Sequence, residues 1–155
     1  MIVACAFDHA GVPLRARLLP LIEGLGHEVL DLGTDSTTPI DYPEKALAVG
    51  RAVVSGEARR GILVCGSGAG VSVAACKIRS IRAAIVHDTY TAHQCVEHDD
   101  VNVICLGGRV IGAEVAAEIV TAFLGAEFSG EERHVRRLAE VAEIERTGGV
   151  PEGER

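Results

Sequence analysis

Short apolar runs alternate with longer segments of helical periodicity along this 155-residue chain. The apolar runs predict strands over 2–7, 27–33, 60–65, 82–86 and 101–107. The periodic segments predict helices over 11–26, 43–55, 69–77, 88–98, 112–125 and 129–145. Strand–helix alternation with short links is typical of a parallel sheet that is covered by helices on both faces. The sequence therefore predicts an α/β fold, a Rossmann-like doubly wound parallel sheet of about five strands.

Local signals refine the helices and the domain organisation. Pro20 lies inside the first helical segment and predicts a kink or a break there. Ser129 precedes acidic residues and an apolar periodicity, so it is the predicted cap of the last helix. We expect one domain over residues 1–146 and a flexible tail over 147–155.

Charge and cysteine content exclude several classes of protein. The formal net charge of −7 argues against a general nucleic-acid or membrane binder, which would need a basic face. No apolar run approaches the roughly 20 residues that span a bilayer. The N-terminal segment meets Asp8 too early for a secretory signal. The five cysteines are odd in number and include no CxxC pair, which predicts a reduced, cytoplasmic protein rather than a disulfide framework or a zinc site.

Polar residues and glycines follow each predicted strand. In open parallel sheets, ligands bind beyond the carboxyl ends of the strands. Those ends fall at 8–11, 33–43, 65–70, 87–88 and 107–109. We therefore expect a site at this edge of the sheet.

The stretch LVCGSGAG, residues 63–70, carries the strongest local signal. Glycines at a helix N-terminus expose N–H groups that favour anionic oxygens, but the spacing is neither GxGxxG nor a P-loop. A structural tight turn and an oxyanion cradle are both open interpretations. Cys65, directly before the loop, is either a small core residue or a reactive thiolate. The core interpretation fits the other four cysteines better, at positions 5, 76, 95 and 105.

Histidines and acids near this edge have two interpretations each. Asp8 and His9 form either a capping acid with a surface histidine or a functional pair at the end of the first strand. His98 is either a proton-transfer group or a partner of a helix dipole.

Arginines in the segment RHVRR, residues 133–137, form a local basic cluster on an acidic protein. Arg133 and Arg137 are four residues apart and share one helix face, which suits a phosphate clamp. The alternative is a solvated face that is paired with Glu131, Glu132 and Glu140.

Seven motifs spread over residues 2–145 give these features a common interpretation. They are DHAG (8–11), DYP (41–43), GILVCGSGAGVSVAACK (61–77), RAAIVHD (82–88), EHDDVNV (97–103), GGRVIG (107–112) and RHVRR (133–137). In this combination the chain resembles the type B ribose-5-phosphate isomerases, whose superfamily includes galactose-6-phosphate isomerase subunits. The resemblance implies an aldose–ketose isomerase that uses no metal or cofactor and works through an enediol.

The resemblance also implies roles for individual residues. Cys65 is the base that moves the proton between C1 and C2, and Ser67 orients it. His98 promotes ring opening, and Asp8 binds sugar hydroxyls. The enediolate oxygen is held by the N–H groups of Gly66, Gly68, Ala69 and Gly70. Further substrate contacts are implied for His9, Tyr42, Asp99, Arg109, Arg133, His134 and Arg137.

Family members are homodimers, often paired into tetramers, and share each site between subunits. The last helix is therefore expected to reach a neighbouring subunit. Ribose 5-phosphate and ribulose 5-phosphate are the expected substrate pair. Asp99 stands where many pentose enzymes have asparagine, so a phosphate of allose, galactose or a tetrose is an alternative. A non-catalytic sugar-phosphate sensor and a thiol redox protein are alternatives from other classes.

Overall fold

Five parallel strands form one sheet in the computed structural model, which describes residues 1–149. They are β1 (Ile2–Phe7), β2 (Glu28–Asp31), β3 (Arg60–Cys65), β4 (Ala83–Ile85) and β5 (Val103–Gly107). Their spatial order is β2–β1–β3–β5–β4, and every pairing is parallel. The order places β1, β3 and β5 side by side at the centre of the sheet. The predicted α/β sheet is thereby confirmed.

The helices connect the strands and cover both faces of the sheet. Over residues 1–149 they are α1 (Val12–Gly24), α2 (Tyr42–Val54), α3 (Ala69–Ala75), α4 (Thr89–Asp99), α5 (Ala113–Gly125) and α6 (Glu132–Thr147). No helix within this range combines the length and apolar character needed to cross a membrane.

Alternating residues of β1 divide the core into two layers, as the period of two in a strand requires. Val3 and Phe7 pack with buried residues of α1, α4 and α5. Ala4 and Ala6 pack on the opposite face with buried residues of α2 and α3. Aliphatic side chains fill both layers, which is the pattern of a sheet that is buried on both faces.

Pro20 does not break its helix, contrary to one of the two predicted outcomes. Helix α1 continues through Pro20 to Gly24. Pro20 is exposed, whereas Leu18 and Ile22 on either side of it are fully buried against the sheet. Packing of the apolar face therefore maintains the helix despite the lost backbone hydrogen bond.

The predicted cap at Ser129 is wrong. Glu131 is the N-cap of α6, and its side chain makes no capping hydrogen bond. The Ser129 hydroxyl instead accepts the Glu131 N–H at 3.3 Å and lies 2.7 Å from Nδ1 of His134. Helix α6 ends at Thr147, and residues 150–155 of the predicted tail lie outside the described residues.

Candidate active site

The carboxyl ends of β1, β3 and β5 bring three loops together. The Asp8 N–H donates to the Val64 carbonyl at 3.0 Å, which ties the loop after β1 to the end of β3. The Gly108 N–H donates to the Cys65 carbonyl at 2.7 Å, and the Arg109 N–H donates to the Gly66 carbonyl at 3.0 Å. These bonds fix the loop after β5 against the glycine loop.

A cleft of about 460 Å³ lies between these loops, at the edge of the sheet that the sequence predicted. It brings together eight of the predicted site residues, namely Asp8, His9, Tyr42, Cys65, Gly66, Ser67, Gly70 and Arg109. Ala10 and Val110 complete the lining, and the sequence analysis did not single them out. Both are small or apolar, so their side chains carry no chemical signal in a sequence.

Cys65 is the last residue of β3 and lines this cleft with 5% of its surface exposed. Its Sγ accepts the N–H of Gly68 at 3.1 Å. Gly68 has a φ of 82°, a left-handed conformation that favours glycine, and this turn directs its N–H back to the sulfur. A donated N–H stabilises negative charge on its acceptor. The position of Cys65 is therefore compatible with a thiolate at the wall of the cleft.

The remaining cysteines differ from Cys65 in their surroundings. Burial raises the pKa of the Cys5 thiol to about 12 and that of Cys95 to about 11. Burial also raises the pKa of Cys105. These three confirm the predicted core placement. The same prediction is wrong for Cys76, which is exposed because it follows α3 as its C-cap and its Sγ contacts the Ala83 carbonyl of the edge strand β4 at 3.4 Å.

Asp8 and His9 are each fixed by backbone N–H groups. One carboxylate oxygen of Asp8 accepts the N–H groups of Ala10 at 2.8 Å and Gly11 at 3.0 Å. Nδ1 of His9 accepts the Ile40 N–H at 3.3 Å, which assigns the proton of a neutral ring to Nε2. The acid therefore shapes the turn before α1, and it also lines the cleft.

Tyr42 and Arg109 pack against opposite ends of the glycine loop, at Gly70 and Gly66 respectively. A Cβ at Gly70 would lie 2.9–3.1 Å from ring atoms of Tyr42, so the ring packs directly on the loop backbone. A Cβ at Gly66 would lie 3.7 Å from Cδ of Arg109. Among residues 1–149, Arg109 has no ion-pair partner, so its positive charge is available to the cleft.

Gly68 and Ala69 belong to the glycine loop itself. The other five predicted site residues form a second cluster at α4 and α6. They are His98, Asp99, Arg133, His134 and Arg137. Helix α4 starts after the carboxyl end of β4 and returns to the start of β5, which is parallel to β4. The end of α4 therefore lies at the amino edge of the sheet, opposite the cleft. Within one chain, the structure does not bring this cluster to Cys65.

A histidine pair holds this second cluster together. The rings of His98 and His134 stack with centroids 4.2 Å apart and an angle of 28° between their planes. His134 is only 1% exposed. Its pKa is lowered by burial, by His98 and by the charge of Arg133. His98 Nδ1 lies 2.8 Å from Nε2 of Gln94, which fixes the ring on α4.

The charged members of the cluster lie beside the histidines. Asp99 and Arg137 line a groove of about 490 Å³ between α6 and the segment around β4. Arg133 pairs with Glu131 at 2.8 Å, as the alternative of a solvated face expected. Over residues 1–149, no three side chains of His, Cys, Asp or Glu form a group that could hold a metal ion.

Comparison with known proteins gives this cleft a family context. The sequence model described as Ribose/Galactose Isomerase matches residues 3–141. Ribose-5-phosphate isomerase B of Escherichia coli is 41% identical over 143 residues, which are 92% of this chain and 95% of that protein. D-erythrulose-4-phosphate isomerase of Pectobacterium atrosepticum is 41% identical over 130 residues, which are 83% of this chain and 85% of that protein.

The fold is shared as well. A solved structure of Clostridium thermocellum ribose-5-phosphate isomerase B matches with a TM-score of 0.91 at 42% identity. The match covers 94% of this chain and 98% of that one. Together with the cleft at the end of β3, these matches confirm the resemblance that the motifs indicated, and the chain belongs to the ribose/galactose isomerase family.

Proposed function

We propose that this sugar-phosphate isomerase interconverts ribose 5-phosphate and ribulose 5-phosphate by proton transfer through an enediolate. The cleft carries the proposal, because it joins Cys65, the glycine loop and the cationic Arg109. A proton next to a carbonyl is weakly acidic. Its removal needs a positioned base and donors for the oxygen that becomes negative.

Cys65 is the proposed base. Its thiolate takes the proton from C2 of the open-chain aldose and leaves negative charge on O1. A proton passes from the hydroxyl on C2 to O1, and the thiol then returns a proton to C1 as the C2 carbonyl forms. The N–H that Gly68 donates to Sγ supports the anionic form of the sulfur. Ser67, whose Oγ accepts the Ala69 N–H at 3.3 Å, lies beside the base and is proposed to orient it.

The glycine loop is the proposed oxyanion site. Two of its four expected donors already have acceptors, since Gly68 donates to Sγ and Ala69 donates to Ser67. We therefore assign the enediolate oxygen to the N–H groups of Gly66 and Gly70. One such donor is worth about 3–4 kcal/mol of transition-state stabilisation.

The phosphate is remote from the reacting carbons, so its contacts supply binding energy and orientation. We propose that Nε2–H of His9 and the guanidinium of Arg109 bind it from one chain. Tyr42 encloses the sugar from α2, and Asp8 binds hydroxyls of the sugar.

A neighbouring subunit is proposed to supply the second cluster. His98 would open the furanose ring, Asp99 would contact sugar hydroxyls, and Arg133, His134 and Arg137 would extend the phosphate site. The separation of this cluster from the cleft within one chain supports a homodimer with shared sites. Two such dimers could also pair into a tetramer without changing the sites. Exposed apolar side chains on α6 support it too, namely Val135, Val141 and Ile144.

A turnover screen tests the substrate. The purified protein is assayed with the phosphates of ribose, allose, galactose and erythrose. We expect the highest kcat/KM with ribose 5-phosphate and deuterium from solvent at C2 of the aldose in D₂O. A tetrose phosphate is the second candidate, because a relative with 41% identity is named D-erythrulose-4-phosphate isomerase. Tight binding of one sugar phosphate without turnover of any would instead favour a sensor.

Replacement of the sulfur tests the base. Cys65→Ser is expected to lower kcat by about 10³-fold with a smaller change in KM, because a hydroxyl is a far weaker base than a thiolate. Cys5→Ser is the matched control, since Cys5 lies inside β1 and lines neither the cleft nor the groove of Asp99 and Arg137. Full activity of Cys65→Ser would contradict both the base role and a thiol redox function.

A further inference from the structure

His87, between β4 and α4, is a partly buried side chain to which neither the sequence analysis nor the proposed mechanism gives a role. Its Nε2 accepts the N–H of Gly107 at 2.9 Å. We propose that His87 is a positioning residue, whose imidazole holds the turn after β5 against the glycine loop and so places Ser67 and Arg109 in the cleft. This inference rests on the proposed function.

The imidazole replaces a backbone acceptor at the end of the sheet. The pairing of β4 with β5 runs through Ile85 and Cys105, and the Val86 N–H donates to the Cys105 carbonyl at 3.1 Å. The next donor along β5 on that side, the Gly107 N–H, is taken by the His87 ring. An acceptor Nε2 requires a neutral ring with its proton on Nδ1.

The backbone on both sides of His87 is fixed, which makes the ring a stable acceptor. Val86 is fully buried. Asp88 is the N-cap of α4, and its carboxylate accepts both the N–H and the hydroxyl of Thr91 at 2.7 Å. The backbone of His87 therefore has little freedom to move away from Gly107.

Gly107 transmits its position to the cleft through close packing. A Cβ at Gly107 would lie 2.9 Å from the carbonyl carbon of Ser67 and 3.0 Å from its Cα. The next two N–H groups bond the glycine loop, Gly108 to the Cys65 carbonyl and Arg109 to the Gly66 carbonyl. A displaced Gly107 would therefore shift both the backbone of Ser67 and the origin of the Arg109 side chain.

Three variants separate this role from a merely structural one. His87→Ala removes the acceptor, and His87→Gln restores an acceptor oxygen at a similar reach. His93→Ala is the control, because His93 is a partly exposed histidine of α4 that pairs with Glu97 at 3.2 Å. For each variant we would measure kcat and KM with ribose 5-phosphate, amide hydrogen exchange at Gly107, and the rate of Cys65 alkylation by iodoacetamide.

His87→Ala is expected to lower kcat/KM by about tenfold, the order of a lost hydrogen bond to a partly buried donor, with a raised KM because Arg109 loses its position. It should also speed exchange at Gly107 and change the alkylation rate. His87→Gln should recover most of these effects, and His93→Ala should show none. Equal losses in both His87 variants, or full activity of His87→Ala, would overturn the inference.

Exchange and alkylation need no turnover, so they separate the two proposals. A wild-type protein that isomerises no sugar phosphate would overturn the proposed function alone. The inference about His87 would then stand if exchange and alkylation respond as expected, and it would fail if neither readout changes.

Discussion

At the scale of single residues, the three cysteines of the sheet show how position on a strand sets the burial of a thiol. Cys5 and Cys105 lie inside strands and are fully buried, whereas Cys65 ends its strand at the wall of a cleft. Burial disfavours the thiolate, and the thiolate is the nucleophile in alkylation. The thiolate should therefore form more readily at Cys65 than at the two fully buried cysteines.

Alkylation of the native protein by iodoacetamide near pH 8 measures this difference. We expect Cys65 and Cys76 to react, and the thiols with raised pKa to react at least about tenfold more slowly, at Cys5, Cys95 and Cys105. Ribose 5-phosphate should protect Cys65 more strongly than Cys76, because Cys76 lies outside the cleft and lines the groove of Asp99 and Arg137. Peptide mass spectrometry reads each site, and labelling of Cys5 as fast as Cys76 would contradict the assignment.

At the scale of elements, the start of α1 lies unusually close to β3. A Cβ at Gly11, the N-cap of α1, would lie 2.3 Å from the Val64 carbonyl oxygen. The contact is with backbone, so a rotamer change cannot relieve it. The close approach lies next to the cleft, because Asp8, three residues before Gly11, and Cys65, directly after Val64, both line it.

Gly11→Ala is therefore expected to lower the free energy of unfolding by about 3 kcal/mol, as in overpacked cores. Gly24→Ala, at the other end of α1, is the matched control. A Cβ there would meet nothing within 4 Å, so alanine should be neutral or stabilising by up to about 1 kcal/mol. Urea unfolding measures both variants, and equal stability of the two would contradict the proposed close packing.

Helix α6 has one fully buried side chain with a titratable ring, His134. Its pKa is lowered in the folded protein by burial, by His98 and by Arg133. The unfolded chain, with an ordinary histidine pKa of about 6.5, therefore binds more protons below neutral pH. Folding stability should fall as pH drops through about 6.5 and towards the lowered pKa of the folded state.

His134→Gln should weaken this pH dependence by up to about one proton in the slope of unfolding free energy against pH. Urea titrations between pH 5 and 8 measure that slope. His93→Gln is the control, because His93 is only partly buried on α4 and its variant should retain the wild-type slope. A steep acid loss that persists in His134→Gln would assign the dependence to other groups.

At the scale of the whole molecule, the sequence predicts the strands and helices from their periodicity, and it predicts contacts between residues that are close in sequence. The alternation of apolar runs gives β3 its observed ends at 60 and 65, and the same pattern places Cys65 at the ligand edge. The exposure of single helical residues is harder to predict from the sequence. Cys76 and Pro20 are both exposed, Cys76 against its predicted core position and Pro20 within a helix that continues through it. The bond between His87 and Gly107 spans 20 residues and has no signature in the spacing of either motif.

The placement of His98 is a different case, since it depends on more than one copy of the chain. The motif EHDDVNV marks the residue, but α4 takes it to the amino edge of its own sheet. A site that needs both His98 and Cys65 must then combine two subunits. The separation of His98 from Cys65 within one chain therefore favours a homodimer in which each site uses both subunits.

Mixed dimers test this assembly directly. Cys65→Ala and His98→Asn should each be nearly inactive, but a heterodimer of the two would have one site with both lesions and one intact site. Random re-association of equal amounts should therefore restore about a quarter of the wild-type sites, because half of the dimers are mixed.

Cys65→Ala mixed with Arg109→Ala is the control, since both residues line the same cleft and no intact site can form. Recovery in the first mixture and not in the second is the expected result. Activity that stays at the level of the separate variants in both mixtures would mean that each chain builds its site alone, and a different source of the ring-opening group would be required.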